Sequence, residues 1–260
     1  MSSSQVLIVL AALLICIAKQ SDACYGATLL RTGGLTCYEK RQIVDLHNRL
    51  RQAVAIGKVP GQSPATNMLE MAWDEELAQQ AQNWANRCSF QHDSNSARRV
   101  SRFSVGQNLA TTWTWPHPTA IGHQPDFDTQ IKLWFNEVYQ YTGSFSHSTG
   151  HYTQMIWSDT YLIGCGYSYY LQGTRYTKLY VCNYGPGGNV RGSKPYRRGS
   201  PSCTLYGTSP SPEYYGLCSK ITFCNIFCKF CNILNSDYCL ELKSLMNSDR
   251  FRSRISYGLG

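Results

Sequence analysis

Apolar residues recur at helical spacing in three stretches of the first half of the chain. The first stretch begins at residues 36–39, a T-x-x-E capping box whose side chains can satisfy two backbone N–H groups at a helix start, and it stops before Gly57. The second covers about residues 74–88, and the third begins near Asp126 or Asp128. This spacing predicts three amphipathic helices, each with one face toward a core.

The second half of the chain carries shorter runs that favour strands. Residues 155–157 are apolar, and residues 162–170 and 176–184 are rich in aromatic and β-branched side chains. The tripeptide 172–174, with Gly173 at its centre, is predicted to join the last two strands as a hairpin. Helices followed by a short antiparallel sheet predict an α+β layered domain.

The N-terminal segment predicts the compartment. Residues 6–18 are an apolar run of 13 residues. As a helix this run measures about 20 Å, too short for a bilayer core of about 30 Å. Small residues follow at Ser21 and Ala23. We interpret residues 1–23 as a cleaved secretory signal peptide, with an interfacial membrane anchor as the alternative, and we expect a secreted, extracellular protein.

Composition and charge narrow the class of protein and of partner. The chain has 43% hydrophobic and 13% aromatic residues, which excludes a disordered coil, and its formal net charge is +8. A basic balance suits nucleic acid, an anionic membrane surface or an acidic receptor. No nucleic-acid motif accompanies the charge, and secreted proteins rarely meet nucleic acid. We therefore exclude nucleic acid as a partner.

The cysteines are distributed unevenly along the chain, which predicts parts with different structures. Of 12 cysteines one lies in the signal segment, and six of the other eleven fall within residues 203–239. An oxidising compartment converts most of them to disulfides, and the odd number leaves at least one thiol free or intermolecular. A zinc knuckle is the alternative for the dense cluster. The predicted parts are a main domain at 24–190, a Gly-, Pro- and Ser-rich linker at 191–217, a cysteine-rich segment at 218–239 and a loose tail at 240–260.

Two sequence blocks carry a family resemblance. They are GHYTQMIW at residues 150–157 and YVCNYGPGGN at residues 180–189, and further blocks agree at residues 46–52, 73–88 and 105–110. Together they resemble the CAP superfamily, which includes cysteine-rich secretory proteins, insect antigen 5 allergens and plant pathogenesis-related proteins. The nearest likeness is to cysteine-rich venom proteins of cone snails. The resemblance implies a three-layer α-β-α sandwich with a disulfide-rich C-terminal extension.

The resemblance also implies a cleft with two histidines and two acidic residues. Matching the motifs places the histidines at His92 and His151 and one acid at Glu137, while Gln107 occupies the second acidic position. Glutamine can hold a water molecule but cannot act as a general base or carry charge. We expect the cleft either to bind Zn²⁺ weakly and reversibly through the two histidines or to form a polar cluster without a metal.

Disulfide pairing follows in part from the same resemblance, which pairs two cysteines of the hairpin and ties the second helix to the N-terminal segment. The pairings within the cysteine-rich segment do not follow from the sequence. The expected bridges are Cys165–Cys182, Cys88 with either Cys24 or Cys37, and a hinge bridge Cys203–Cys218.

Three functions remain open at this point. The first is a non-enzymatic venom or exocrine protein that acts on an extracellular protein or a membrane receptor such as an ion channel. The second is an endopeptidase for toxin or hormone precursors, with His151 as base, Glu137 as its orienting partner and Ser148 or Thr153 as nucleophile. The third is a carrier of sterol or fatty acid, with the aromatic loop 111–116 lining a groove. We favour the first, and enzymatic activity stays undecided.

Overall fold

The computed structural model describes residues 24–32, 34–117 and 121–220. The signal peptide predicted at 1–23 and residues 221–260 lie outside these ranges. The helices are α1 (Cys37–Ala55), α2 (Glu75–Ala85), α3 (Phe127–Asn136) and α4 (Gly150–Met155). The strands are β1 (Thr28–Thr32), β2 (Ala72–Trp73), β3 (Gly106–Thr114), β4 (Leu162–Gln172), β5 (Arg175–Gly185), β6 (Ser209–Pro210) and β7 (Cys218–Ser219).

One sheet runs through the middle of the domain. Its strands follow the order β1-β4-β5-β3 with antiparallel neighbours, and β2 adds a short parallel pairing to β4. β4 and β5 form a hairpin that closes between Gln172 and Arg175, so the predicted hairpin is confirmed. β3 pairs with β5 along its whole length, beginning with Gly106 opposite Tyr184.

Helices cover both faces of this sheet. Successive residues of β5 point to opposite sides, so Leu179 packs in one apolar cluster with Ala81 and Ala85 of α2. Tyr180 points the other way, into the main core shared with α1, α3 and α4, where Ile131 is fully buried. This arrangement confirms the predicted α+β class and its three-layer α-β-α sandwich.

Two glycines allow α2 to approach the sheet closely. A Cβ atom at Gly164 on β4 would collide with the backbone of Ala78, and one at Gly166 would collide with the backbone of Gln82. Any larger residue at either position would therefore push α2 away from β4.

Several predicted elements agree with the structure and others differ. The capping box forms in both directions between Thr36 and Glu39 at the start of α1. The strand expected at residues 155–157 is wrong, because Met155 ends α4 instead. The expected loop 111–116 belongs in large part to β3, because the ladder with β5 continues to Thr114.

Residues 191–217, the expected linker, pack against the domain, as do residues 218–219, which were expected to begin the cysteine-rich segment. Cys218 is fully buried, and its N–H donates to the carbonyl of Met68 at 2.7 Å. A disulfide joins it to Cys203, and the compact unit extends to Ser219. The Gly, Pro and Ser content of this segment is outweighed by backbone pairing and by burial of its apolar residues.

The described part of the chain contains disulfides that resolve the alternatives for Cys88. Cys37 is exposed and has no disulfide partner among the described residues, and the four cysteines between residues 221 and 239 lie outside the described ranges. Among the described helices, none has the length and apolar character needed to cross a bilayer. The disulfides are Cys24–Cys88, Cys165–Cys182 and Cys203–Cys218.

Candidate functional site

Glu137 and His151 form the first pair of the candidate site. Glu137 directly follows α3, and His151 lies in the first turn of α4. Oε1 of the carboxylate is 2.6 Å from Nδ1 of His151, and Oε2 accepts hydrogen bonds from the backbone N–H groups of His151 and Tyr152, both at 3.0 Å. The ring of Trp134 stacks on the imidazole with 5.9 Å between centroids. One carboxylate thereby holds both the ring and the start of α4, whose first N–H groups have no acceptor within the helix.

His92 and Gln107 form the second pair. Nδ1 of His92 is 2.9 Å from Oε1 of Gln107 on β3. Nε2 of Gln107 donates to Oδ1 of Asn183 on β5 at 3.1 Å, and Nδ2 of Asn183 donates to the carbonyl of Leu77 at 3.4 Å. This chain of amides determines that the oxygen of Gln107 faces the histidine.

The partners of the two histidines determine their tautomers. A carboxylate and an amide oxygen only accept hydrogen bonds, so Nδ1 of each neutral ring carries the proton. Nε2 of each ring then has a lone pair, and within the described residues it has no hydrogen-bond partner. An imidazole oriented through Nδ1 with a lone pair on Nε2 is the usual form of a metal-binding histidine.

The two pairs lie on neighbouring elements, and the pair of His92 and Gln107 lines a cavity. Asn108, next to Gln107 on β3, donates from Nδ2 to the carbonyl of His151 at 3.2 Å. A cavity of about 680 Å³ beside β3 is lined by His92 and Gln107, whereas His151 and Glu137 are not part of its lining. In the part of the chain that the structure describes, no three His, Cys, Asp or Glu side chains converge to hold a metal. A metal bound here would keep positions open for water.

The two signature blocks hold each other in place behind this cavity. Oγ1 of Thr153 donates to Oδ1 of Asn189 at 2.7 Å, and Nδ2 of Asn189 donates to the carbonyl of Gly150 at 2.9 Å. Oε1 of Gln154 accepts from the N–H of Gly188 at 2.9 Å. The residue types of the two blocks therefore fix the position of α4 relative to the end of β5.

A comparison with protein-family models tests the resemblance seen in the motifs. The model of the cysteine-rich secretory protein family, CAP, matches residues 44–184. This chain belongs to the CAP family. The closer likeness to cone-snail venom proteins stays a prediction.

Sequence relatives of this CAP protein include venom and salivary proteins. A venom allergen 5 of Tityus serrulatus is 40% identical over 74% of this chain, and a salivary antigen-5 of Triatoma infestans is 36% identical over 76% of it. The chain spans 88% of the Triatoma protein. It spans only 50% of the Tityus venom allergen and 52% of a cysteine-rich venom protein from the same organism.

Solved structures with the same fold include two whose chains are nearly covered. BmVAL-1 is 26% identical with a TM-score of 0.62, and the match covers 73% of this chain and 98% of that one. NaASP2, determined with Zn²⁺, is 28% identical with a TM-score of 0.58, and the match covers 72% and 98% of the two chains.

The two hydroxyls considered as nucleophiles in this CAP domain are hydrogen-bonded away from the histidine. Oγ1 of Thr153 is buried, and its single hydrogen is directed to Oδ1 of Asn189 at 2.7 Å, with the carbonyl of Thr149 as another acceptor within reach at 3.0 Å. Ser148 is exposed, and its Oγ lies 2.9 Å from that of Ser146. Neither of these two hydroxyls is therefore hydrogen-bonded to His151 or Glu137, as a nucleophile activated by this pair would be.

A buried arginine supports the site from α1, and the sequence analysis did not identify it. The guanidinium of Arg51 donates to the backbone carbonyls of Leu69, Met155, Trp157 and Thr160 at 2.6–3.0 Å. Burial lowers the pKa of Arg51 to about 9, so the group is charged at neutral pH. The guanidinium thereby holds in place the residues that follow α4, through the carbonyls of Trp157 and Thr160. The feature of the sequence that could have identified Arg51 is its position on the apolar face of α1.

A buried histidine on the same helix links α1 to the sheet. Nδ1 of His47 is 2.8 Å from the carbonyl of Ile43, and Nε2 is 3.0 Å from the hydroxyl of Tyr184. Burial lowers the pKa of His47 to about 4. The tyrosine hydroxyl in turn accepts from Nδ2 of Asn108 at 3.3 Å. His47 is thus a neutral structural residue one step behind the cleft.

Proposed function

We propose that this chain is a secreted, non-enzymatic CAP protein of a venom or salivary gland that binds an extracellular protein or a membrane receptor such as an ion channel. The observation that carries the proposal is the arrangement around His151. The carboxylate beside it is used to hold α4, and the candidate nucleophiles Ser148 and Thr153 are bonded elsewhere. The names of the relatives and the three described disulfides support an extracellular location.

The CAP domain suits the role of a binding scaffold because hydrogen bonds fix its segments to one another. Arg51 holds the segment after α4 in place, and backbone hydrogen bonds of Cys218 with Met68 and Glu70 hold the last described segment on the domain. A surface that is already ordered loses little conformational entropy when it binds. The net charge of +8 favours an acidic target and speeds the encounter with it.

Current recordings from voltage-gated channels, run beside a precursor-cleavage assay, test this proposal. We expect wild type and His151→Ala to change the current equally and neither to cleave precursor peptides. Ser148→Ala serves as the matched control for the proposed nucleophile. Cleavage by wild type that disappears in His151→Ala would contradict the proposal and support the endopeptidase.

We also propose that the cleft binds Zn²⁺ weakly through Nε2 of His92 and His151. The tautomers set by Gln107 and Glu137 support this assignment, since each ring presents its lone pair and is oriented from behind. A Zn²⁺ ion in NaASP2, which is 28% identical, gives further support. When bound, the ion supplies positive charge and Lewis acidity. Two protein ligands are fewer than the three of typical catalytic zinc sites, so the binding should be reversible.

Calorimetry with zinc at pH 7.5 tests the metal proposal. His92→Ala and His151→Ala should abolish the heat of binding, and Glu137→Gln should weaken the affinity by about 10–100-fold because it removes the orienting charge. His123→Ala changes a histidine outside the cleft and should bind as wild type does. Equal heats from wild type and His92→Ala would show that the cleft is a polar cluster.

We do not propose lipid carriage, because the aromatic surface considered for it is partly covered. Trp113 and Trp115 are 54% and 65% exposed, and the guanidinium of Arg175 lies 4.0 Å from the ring centroid of Trp113. A cation on the ring competes with an apolar ligand for the same face. Uptake of labelled cholesterol or palmitate by delipidated protein would support lipid carriage instead.

A further inference from the structure

A second cavity lies apart from the cleft and has a different chemical lining. Its volume is about 220 Å³. Three stretches meet around it: the turn after α1 at 61–63, the chain at 141–143 and the segment 194–198. No acidic side chain is among its lining residues, which are Gly61, Gln62, Ser63, Tyr141, Thr142, Gly143, Lys194, Pro195, Tyr196 and Arg198.

Two cationic side chains reach this cavity without a counter-charge. Neither Lys194 nor Arg198 makes a hydrogen bond or an ion pair through its side chain with any residue in the described ranges. The guanidinium of Arg198 lies against Gly143, with Nη2 3.5 Å from the position that a Cβ atom would take there. Burial raises the pKa of Tyr196 to about 12, and the positive charge of Arg198 opposes this rise. The guanidinium of Arg198 therefore lies near Gly143 and Tyr196, which both line the cavity.

Neutral donors complete the lining. Oε1 of Gln62 accepts a hydrogen bond from the hydroxyl of Tyr152 at 3.1 Å, which leaves Nε2 of Gln62 without a partner in the part of the chain that the structure describes. The hydroxyl of Tyr141 likewise has no hydrogen-bond partner among the described residues, although burial raises its pKa. The hydroxyl of Tyr196, by contrast, donates to the carbonyl of Ser63 at 2.9 Å.

We propose that this cavity binds a small, doubly charged oxyanion, either a sulfate ion or a phosphate group that is free or carried as a monoester. Two cations without carboxylates match a charge of −2, and a phenol and an amide can donate to the remaining oxygens. The volume of about 220 Å³ is below that of pockets for drug-sized ligands, which run from roughly 300 Å³, so the bound group is small. The site is independent of the proposed target and of the zinc cleft.

Isothermal calorimetry of the full secreted chain with inorganic phosphate, inorganic sulfate and phenyl phosphate tests the site. We expect saturable binding with one site per chain, and a loss of affinity of about tenfold or more in Arg198→Gln and in Lys194→Gln. Tyr141→Phe should weaken the affinity by a smaller factor. Arg191→Gln is the matched control, because it removes the same charge from an exposed neighbouring position that does not line the cavity.

The outcomes separate the sources of the oxyanion and can overturn the proposal. Tighter binding of phenyl phosphate than of the inorganic ions supports a monoester ligand, and the reverse order supports a free ion. Absence of saturable binding for all three probes overturns the site. An equal loss in Arg191→Gln and Arg198→Gln also overturns it, because the effect is then one of net charge. Circular dichroism of each variant confirms that a lost affinity does not come from unfolding.

Discussion

Replacing Arg51 by lysine tests how much of the fold depends on one buried guanidinium. Its N–H groups make five hydrogen bonds of 2.6–3.0 Å, all to backbone carbonyls. Lysine keeps the charge but has three N–H donors on a single nitrogen. One lysine nitrogen cannot take both the position of Nη1, which donates to Met155 and Trp157, and that of Nη2, which donates to Leu69 and Thr160.

The expected loss follows from the hydrogen bonds that lysine cannot make. At least two charge-assisted bonds disappear, each worth about 1.5–3 kcal/mol, so Arg51→Lys should lower the free energy of unfolding by about 3–6 kcal/mol. For a domain of this size the midpoint of thermal unfolding falls by roughly 6–24 °C. The control is Arg49→Lys on the same helix, since Arg49 is exposed and pairs with Asp45 at the surface. Its unfolding midpoint should not change.

Urea unfolding of the secreted, disulfide-intact proteins at pH 7, followed by tryptophan fluorescence, measures both variants. Arg51→Met is a useful third protein, because it keeps much of the volume and leaves the carbonyls without any donor; it should be less stable than Arg51→Lys. If the free energy of unfolding of Arg51→Lys lies within about 1 kcal/mol of that of wild type, the guanidinium only fills space and the reasoning is refuted.

Three further predictions concern titration, packing and the cleft. The pKa of His47 is about 4 in the folded protein and 6.5 for a histidine in water, so stability is lost as pH falls from 6.5 to 4. The loss should reach about 3 kcal/mol, and His47→Gln should lack this part of the slope in unfolding measured at pH 7 and 4.5. Gly164→Ala should cost at least about 2 kcal/mol through its collision with α2, whereas Gly34→Ala, with open space around it, should unfold as wild type does. Gln107→Glu should tighten zinc binding about tenfold in calorimetry by placing a carboxylate behind His92, and unchanged affinity would contradict the assigned pair.

Signals that act within a few residues located α1, α2, α3 and the hairpin of β4 and β5 correctly. The capping box of Thr36 and Glu39 marks the start of α1, and side chains from Asp74 and Asp126 cap α2 and α3. The hairpin turn follows in the same way from Gly173, whose φ of 60° lies in the left-handed region. Such signals belong to the local backbone and are therefore present in the sequence.

Elements that depend on distant contacts were not predicted. α4 has only six residues, too few to be stable alone, and its start is held by Glu137 from the preceding segment. Residues 191–217 resemble a linker in composition, but the carbonyl of Pro195 accepts from the N–H of Ser158 and that of Arg197 from the N–H of Thr66, both far away in the sequence. Composition cannot report pairings of this kind.

The sequence supplied the members of the candidate site and the pairing of Glu137 with His151, but not the pairing of Gln107 with His92. Resemblance to the family indicated His92, Gln107, Glu137 and His151. Asn183, which orients Gln107, lies 76 residues away from it and was not identified, because an asparagine inside an apolar strand has no distinctive local pattern. The tautomer of His92 depends on that network and the tautomer of His151 on Glu137, and the case for a metal rests on both.

The two histidines of the cleft differ in the group that is hydrogen-bonded to Nδ1, and this difference limits the chemistry that the site can support. His151 is backed by a carboxylate and His92 by an amide. A cation held between the two rings is therefore neutralised from one side only, which weakens its binding relative to a cleft with two carboxylates. A reaction that needs one carboxylate as base and another as acid has only Glu137 available, and Glu137 already holds the ring of His151 and the start of α4. An asymmetric cleft of this kind is better suited to stabilising the scaffold, and to binding a metal loosely, than to catalysis.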